Sequence, residues 1–188
     1  MYSIRRLILI LFAAALASAE TPAVKKVLGT FNDLNRAKST KQKVQFYWTE
    51  GELNEYLQSA QKTNPRPGLD SLSIKLFPAN YISTFTVIDF DAVEKWRPGT
   101  VPGLLKPVLH GKKAIWVDVR VNANNGQGTF AIEKAYFENI RLPAFMVEKM
   151  ISVVASRQRE KYDTSKPVPL PFGLQKIWTG EKAVAGEN

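Results

Sequence analysis

Pro143 to Tyr162 reads PAFMVEKMISVVASRQREKY. At 100° per residue, Met146, Val147, Met150, Ile151, Val153 and Val154 fall within an arc of about 160°. Glu148, Lys149, Ser152, Ser156 and Arg159 take the other side. Pro143 suits a first helical turn, where its missing N–H is not needed. The polar, mostly basic stretch from Ser156 to Lys161 suits the negative end of a helix dipole. The spacing predicts a long amphipathic helix. Such a helix needs a broad apolar partner, and the strands predicted ahead of it supply one.

Those strands are read from alternation. Leu72, Ile74 and Leu76 alternate with Ser71, Ser73 and Lys75, and Tyr81 to Phe90 is rich in β-branched and aromatic residues. With the turn Pro78-Ala79-Asn80 between them, the two predict a hairpin. Ile115, Val117, Val119 and Val121 share one side of a further strand from Lys112 to Val121. Asn124-Asn125-Gly126 is a hairpin turn, because Asn-Gly readily takes positive φ at both central positions. Thr129 to Ile140 returns as the next strand. The prolines at 167, 169 and 171 place that segment at an edge or outside a sheet, and Leu174 to Thr179 predicts a last strand.

Upstream, Val44, Phe46 and Trp48 alternate with Lys43, Gln45 and Tyr47 and predict a strand. Thr49-Glu50-Gly51-Glu52 follows with the spacing of a capping box. The helix it opens carries Leu53, Tyr56, Leu57 and Ala60 on one stripe and stops before Pro65-Arg66-Pro67-Gly68. Val24, Val27, Leu28 and Phe31 recur at helical spacing, and the basic segment from Arg36 to Lys43 reads as a linker. The element order predicts an α+β fold with an antiparallel sheet.

The first nineteen residues read as a secretory signal peptide: the basic head MYSIRR, an apolar run from Leu7 to Ala17, and the small-x-small signature Ala17-Ser18-Ala19 before Glu20. The run is well short of the roughly 20 residues that span a bilayer. The expected organisation is therefore a signal peptide over 1–19, an N-terminal helix and linker over 20–42, one α+β domain over 43–179, and a flexible tail over 180–188. Cleavage near Ala19-Glu20 implies a soluble secreted or periplasmic protein. The 188-residue chain has no cysteine. This removes disulfides, thiolate catalysis, cysteine metal sites and a lipid-modified anchor. The net charge of +9 stays positive once Arg5 and Arg6 leave with the signal. Outside the cytoplasm this favours an anionic membrane surface or glycan over nucleic acid.

No catalytic motif stands out, and no cofactor or metal set is expected. His110 is the single histidine and has no partner near it in sequence. Asp89, Asp91 and Glu94 are close enough to suggest a hard cation, but they read better as a strand-end turn and helix cap. Trp48, Trp96, Trp116 and Trp178 are widely spaced, and tryptophan serves membrane interfaces and sugar stacking as well as cores.

Several short stretches resemble a known family. They are Thr49 to Leu57 (T-E-x-E-L-N-x-Y-L), Pro67-Gly68-Leu69, Arg141-Leu142-Pro143 and Leu170 to Leu174 (L-P-F-G-L). The chain resembles the small bacterial envelope proteins of the tubular lipid-binding (TULIP) superfamily, including YceB-like lipoproteins, from about Lys43 to Thr179. The resemblance implies a curved antiparallel sheet of about five to six strands wrapped around the long C-terminal helix, beside a shorter N-terminal helix. It also implies a non-catalytic role in binding lipid or another hydrophobic ligand. Leu72, Ile74, Leu76, Ile115, Val117, Val119, Met146, Met150 and Val154 would line the groove, with methionines adapting to varied acyl chains. Trp96, Val101, Leu104, Leu105 and Leu109, in and beside the Pro/Gly loop from Gly99 to Gly111, would form a gate or membrane contact. The same residues are compatible with a closed core, which leaves open an envelope interaction or assembly protein. A hydrolase of an envelope polymer is a third reading.

Overall fold

A computed structural model describes residues 20–40, 42–101, 103, 106–143 and 166–188. Among these, three α-helices are α1 (Pro22–Thr40), α2 (Glu50–Thr63) and α3 (Phe90–Trp96). The strands are β1 (Gln45–Thr49), β2 (Leu69–Phe77), β3 (Tyr81–Asp89), β4 (Lys112–Asn124), β5 (Gln127–Phe137), β6 (Ile140–Leu142), β7 (Val168–Pro169), β8 (Lys176–Gly180) and β9 (Ala183–Glu187). They form two sheets. The larger runs β2-β3-β4-β5-β6, with β7 also on β5, and the smaller runs β1-β9-β8. Every pairing is antiparallel.

The local signals act where their chemistry puts them. Thr49 Oγ1 accepts the Glu52 N–H at 3.2 Å, and Glu52 returns a carboxylate to the Thr49 N–H at 2.8 Å. This closes the box that starts α2, a device that contributes about 1 kcal/mol. Asn125 and Gly126 take φ of 52° and 72°, as a type I′ turn requires, and join β4 to β5. Ala79 and Asn80 also have positive φ and turn β2 into β3.

The main core is built on α1. Val24, Val27, Phe31 and Leu34 are buried together with Phe46, Trp48, Leu53, Tyr56, Leu76, Phe172, Leu174 and Val184. Phe31 is the hub. Its ring meets Trp48 edge-on at 5.1 Å and stacks on Phe172 at 5.2 Å. The small sheet, α2, the Pro171–Gly173 turn and one end of β2 therefore converge on the N-terminal helix.

Helix α2 closes the outer edge of the larger sheet. The Asn54 side chain accepts the Ile74 N–H at 2.8 Å and donates to the Ile74 carbonyl at 2.9 Å, as a neighbouring strand would. Glu50 accepts the Leu76 N–H at 2.7 Å, and Gln61 donates to the Leu69 carbonyl. Unpaired edge groups invite association with other chains, and here helix side chains occupy them. The two sheets meet at Asn80. Its side chain accepts the Thr179 N–H at 2.7 Å and its carbonyl accepts the Val121 N–H at 2.9 Å.

Three expectations are corrected. The strands do not form one curved sheet around a C-terminal helix: they divide into two sheets, and the principal core gathers on α1, the longest described helix, with 19 residues. The stretch that predicted the long helix lies, apart from Pro143, outside the described residues. The expected linker from Arg36 is helical through Thr40, because Leu34 and Ala37 keep the buried stripe of α1 going. The expected flexible tail contains β9, the central strand of the small sheet, held by β1 on one side and β8 on the other.

Candidate functional site

The register of the larger sheet assembles one apolar face. Ile74 lies opposite Thr84, Thr84 opposite Val117, and Val117 opposite Ala135. The next row is Leu72, Thr86, Ile115 and Phe137. The row on the other side is Leu76, Ile82, Val119 and Ile132. All six strand residues expected to line a groove, Leu72, Ile74, Leu76, Ile115, Val117 and Val119, share this inner face.

They do not share one environment. Leu76 is 2 % exposed and belongs to the closed core, with Ile74 and Ile82 packed against that core. Leu72, Ile115, Val117 and Val119 are only partly buried. The partly accessible part of this face therefore excludes Leu76 and centres on the middle of β4. Met146, Met150 and Val154 lie outside the described residues.

The face ends at the β5 edge. β6 pairs with Ala135 to Phe137 and β7 with Gln127 and Gly128. Among the described residues no strand pairs with the stretch between them on that edge. A cleft of about 320 Å³ opens there, lined by Ile132, Ala135, Leu142 and Pro143, with Glu133, Lys134 and Arg141 around it. The β-bulge between Asp118 and Val119 shapes this edge, because it leaves Glu133 without an opposite residue. Glu133 instead pairs with Arg120 at 2.8 Å. The cleft thus has an apolar floor and two cations beside it, and its volume is at the lower end of the range for small-ligand pockets.

The loop after α3 is tied down. Glu94 accepts the N–H of Gly99 at 2.9 Å and of Val101 at 3.0 Å, and pairs with Lys106 at 3.1 Å. The two backbone N–H groups first, and then Lys106, hold its carboxyl down at about 2. Asp91 accepts the Gly111 N–H at 3.0 Å at the far end of the loop. Of the residues expected to form a gate, Val101 is 4 % exposed and packed inward, which removes it from any gate surface. Trp96 is 60 % exposed, and Leu109 is partly buried. Leu104 and Leu105 lie outside the described residues. Val108, 56 % exposed, joins Trp96 as an outward apolar side chain.

The three clustered acids have local duties. Asp89 caps α3 by accepting the N–H groups of Asp91 and Ala92 at 3.1 and 3.0 Å. Asp91 and Glu94 hold the loop as described. His110 is exposed. Among the described residues no group of three or more metal-ligating side chains is placed to hold a metal ion. Nor, among them, is any helix long and apolar enough to cross a membrane.

The opposite face of the sheet carries a constellation of residues that lie far apart in the sequence. Ser73 lies opposite Phe85, Phe85 opposite Trp116, Trp116 opposite Tyr136, and Tyr136 opposite Arg141. Three aromatic rings thus stand in one row across β3, β4 and β5, with the Phe85 and Trp116 centroids 4.6 Å apart. Trp116 and Tyr136 alternate with apolar inner-face neighbours, Ile115 and Val117, Ala135 and Phe137, whereas Phe85 lies between Thr84 and Thr86. Their adjacency comes only from pairing. Trp178 and Trp48 sit apart, the first exposed under Lys176, the second in the core.

No family model and no curated protein matches this chain.

Proposed function

We propose that the protein is a non-catalytic binder of a lipid or other hydrophobic ligand, held on the inner face of the larger sheet. The observation that carries this reading is the partly accessible apolar floor of Leu72, Ile115, Val117 and Val119, continuous in register with Ile132 at the cleft on the β5 edge. An acyl chain gains about 25 cal/mol for each Å² of apolar surface removed from water. Trp96 and Val108 supply the apolar contact through which the protein would meet a membrane surface. The leader-like start of the sequence supports a secreted or periplasmic setting.

The test is native mass spectrometry of protein purified from its own host, with organic extraction of the same sample. A stoichiometric lipid is expected. Val117→Trp should lose it while keeping the far-ultraviolet spectrum and the unfolding transition. A wild-type protein that flies without ligand, while a control carrier keeps its lipid, refutes the reading. Unfolding of the Val117→Trp variant would show that this position is closed core and would also count against it.

A further inference from the structure

We propose that the outer face of the larger sheet is a second binding surface, built for an acidic polysaccharide. Its centre is the row Phe85, Trp116 and Tyr136. Strand spacing of about 4.8 Å makes the row roughly 10 Å long, enough to seat two sugar rings. Trp116 is 37 % exposed, and Phe85 and Tyr136 are half-buried, so the rings are braced against the sheet while presenting surface. Aromatic rings offer a flat apolar body to the C–H face of a sugar. Small hydroxyl residues flank them: Ser73 ends the row, and Ser83 stands one row on. Neither shades the rings, and both present a hydroxyl to a sugar hydroxyl.

The charges around the row fit an anion. Arg141 closes the row on β6, and Lys75 and Lys134 lie on the neighbouring row with Ser83 and Asp118. Arg120 and Lys112 already face carboxylates, Glu133 at 2.8 Å and Asp70 at 2.5 Å. Asp118 is engaged by the Tyr81 hydroxyl at 2.7 Å. Among the described residues Lys75, Lys134 and Arg141 have no ion-pair partner. The surface therefore keeps three unspent cations beside a ring platform and one hydrogen-bonded acid. A membrane surface would call for protruding apolar bulk, whereas this row is half-buried and bordered by serines. A single-stranded nucleic acid would use similar rings, but it does not fit a chain proposed to act outside the cytoplasm.

The inference does not rest on the lipid reading. Val117 and Trp116 are adjacent in sequence and face opposite sides of β4, so the two surfaces are separable by single substitutions. The purified full-length chain would be run by affinity electrophoresis in gels containing polygalacturonate, dextran sulfate or neutral dextran. Intrinsic tryptophan fluorescence would follow the same polymers in solution. Retardation by an acidic polymer and not by dextran is expected, with at least tenfold weaker binding for Trp116→Ala and for the pair Lys134→Glu and Arg141→Glu. Val117→Trp should bind as wild type, and Trp116→Tyr should recover most of the loss. Circular dichroism confirms folding; were Trp116→Ala to unfold, Phe85→Ser and the charge pair carry the test. Three results would overturn the proposal. One is no retardation by any polymer. Another is wild-type affinity in folded ring variants, which would mean unspecific charge alone. The last is tighter, equally ring-dependent binding to oligothymidylate or to anionic phosphatidylglycerol vesicles.

Discussion

Replacing Asn54 by alanine tests how the larger sheet is terminated. The Asn54 side-chain amide bonds both backbone polar groups of Ile74, at 2.8 and 2.9 Å. Truncation leaves the Ile74 N–H and C=O without that partner in a partly buried position. A buried polar group without a partner costs about 1–3 kcal/mol. Some water reaches this edge, so the two together cost about 2–4 kcal/mol. For a chain of this size each kcal/mol moves the midpoint about 2–4 °C, which gives a fall of roughly 5–15 °C. Thermal and urea unfolding followed by circular dichroism would measure it. Glu55→Ala, on the exposed side of the same turn, is the control and should stay within about 0.5 kcal/mol. Asn54→Asp keeps the acceptor and loses the donor, so it should fall between the two. Light scattering adds a second readout, because a freed strand edge promotes self-association. An Asn54→Ala variant as stable and as monodisperse as the control would show that the side chain does not close the edge.

Two further outcomes follow from the fold. Removing residues 181–188 takes out the strand shared by β1 and β8 together with buried Ala183 and Val184. The truncated chain should lose its cooperative transition and its near-ultraviolet signal, whereas a midpoint within a few degrees of wild type would show that β9 is dispensable. Glu94 has its carboxyl lowered from 4.5 to about 2, so its hold on the loop is complete above pH 4.5 and is lost as the pH falls through about 2. The Gly99 and Val101 amide resonances should titrate with that low midpoint in NMR spectra and be insensitive in Glu94→Gln. A midpoint near 4.5 would show that the two amides do not hold the carboxylate.

What was legible in the sequence was local. Thr49 and Glu52 announce a helix start because both halves of the cap lie within four residues. Asn125-Gly126 announces a turn because only that backbone region suits the pair. The alternation in β2 and β4 reports one apolar side. β9 gave no such signal: Ala183-Val184-Ala185-Gly186 is small because Phe46 lies against it. A Cβ on Gly186 would come within 2.5 Å of that ring. The role of α1 was equally hidden, since an amphipathic stripe says that a helix is covered and not by what. Candidate lining residues on the inner face could be read by period two, but their division into closed core at Leu76 and accessible floor at Val117 depends on where the small sheet docks. Phe85, Trp116 and Tyr136 become a row only through register, across long stretches of intervening chain.

The pairing of β1 with β9 also has a consequence in time. Gln45 and Glu187, facing each other across these strands, are 142 positions apart. Until the chain has been made through Glu187, β1 and β8 share no partner, and the floor beneath Phe31 lacks Val184. Contacts of such long range are slow to form, because the loop must close before they reward it. The core on α1 therefore stays incomplete until β9 has paired with β1 and β8.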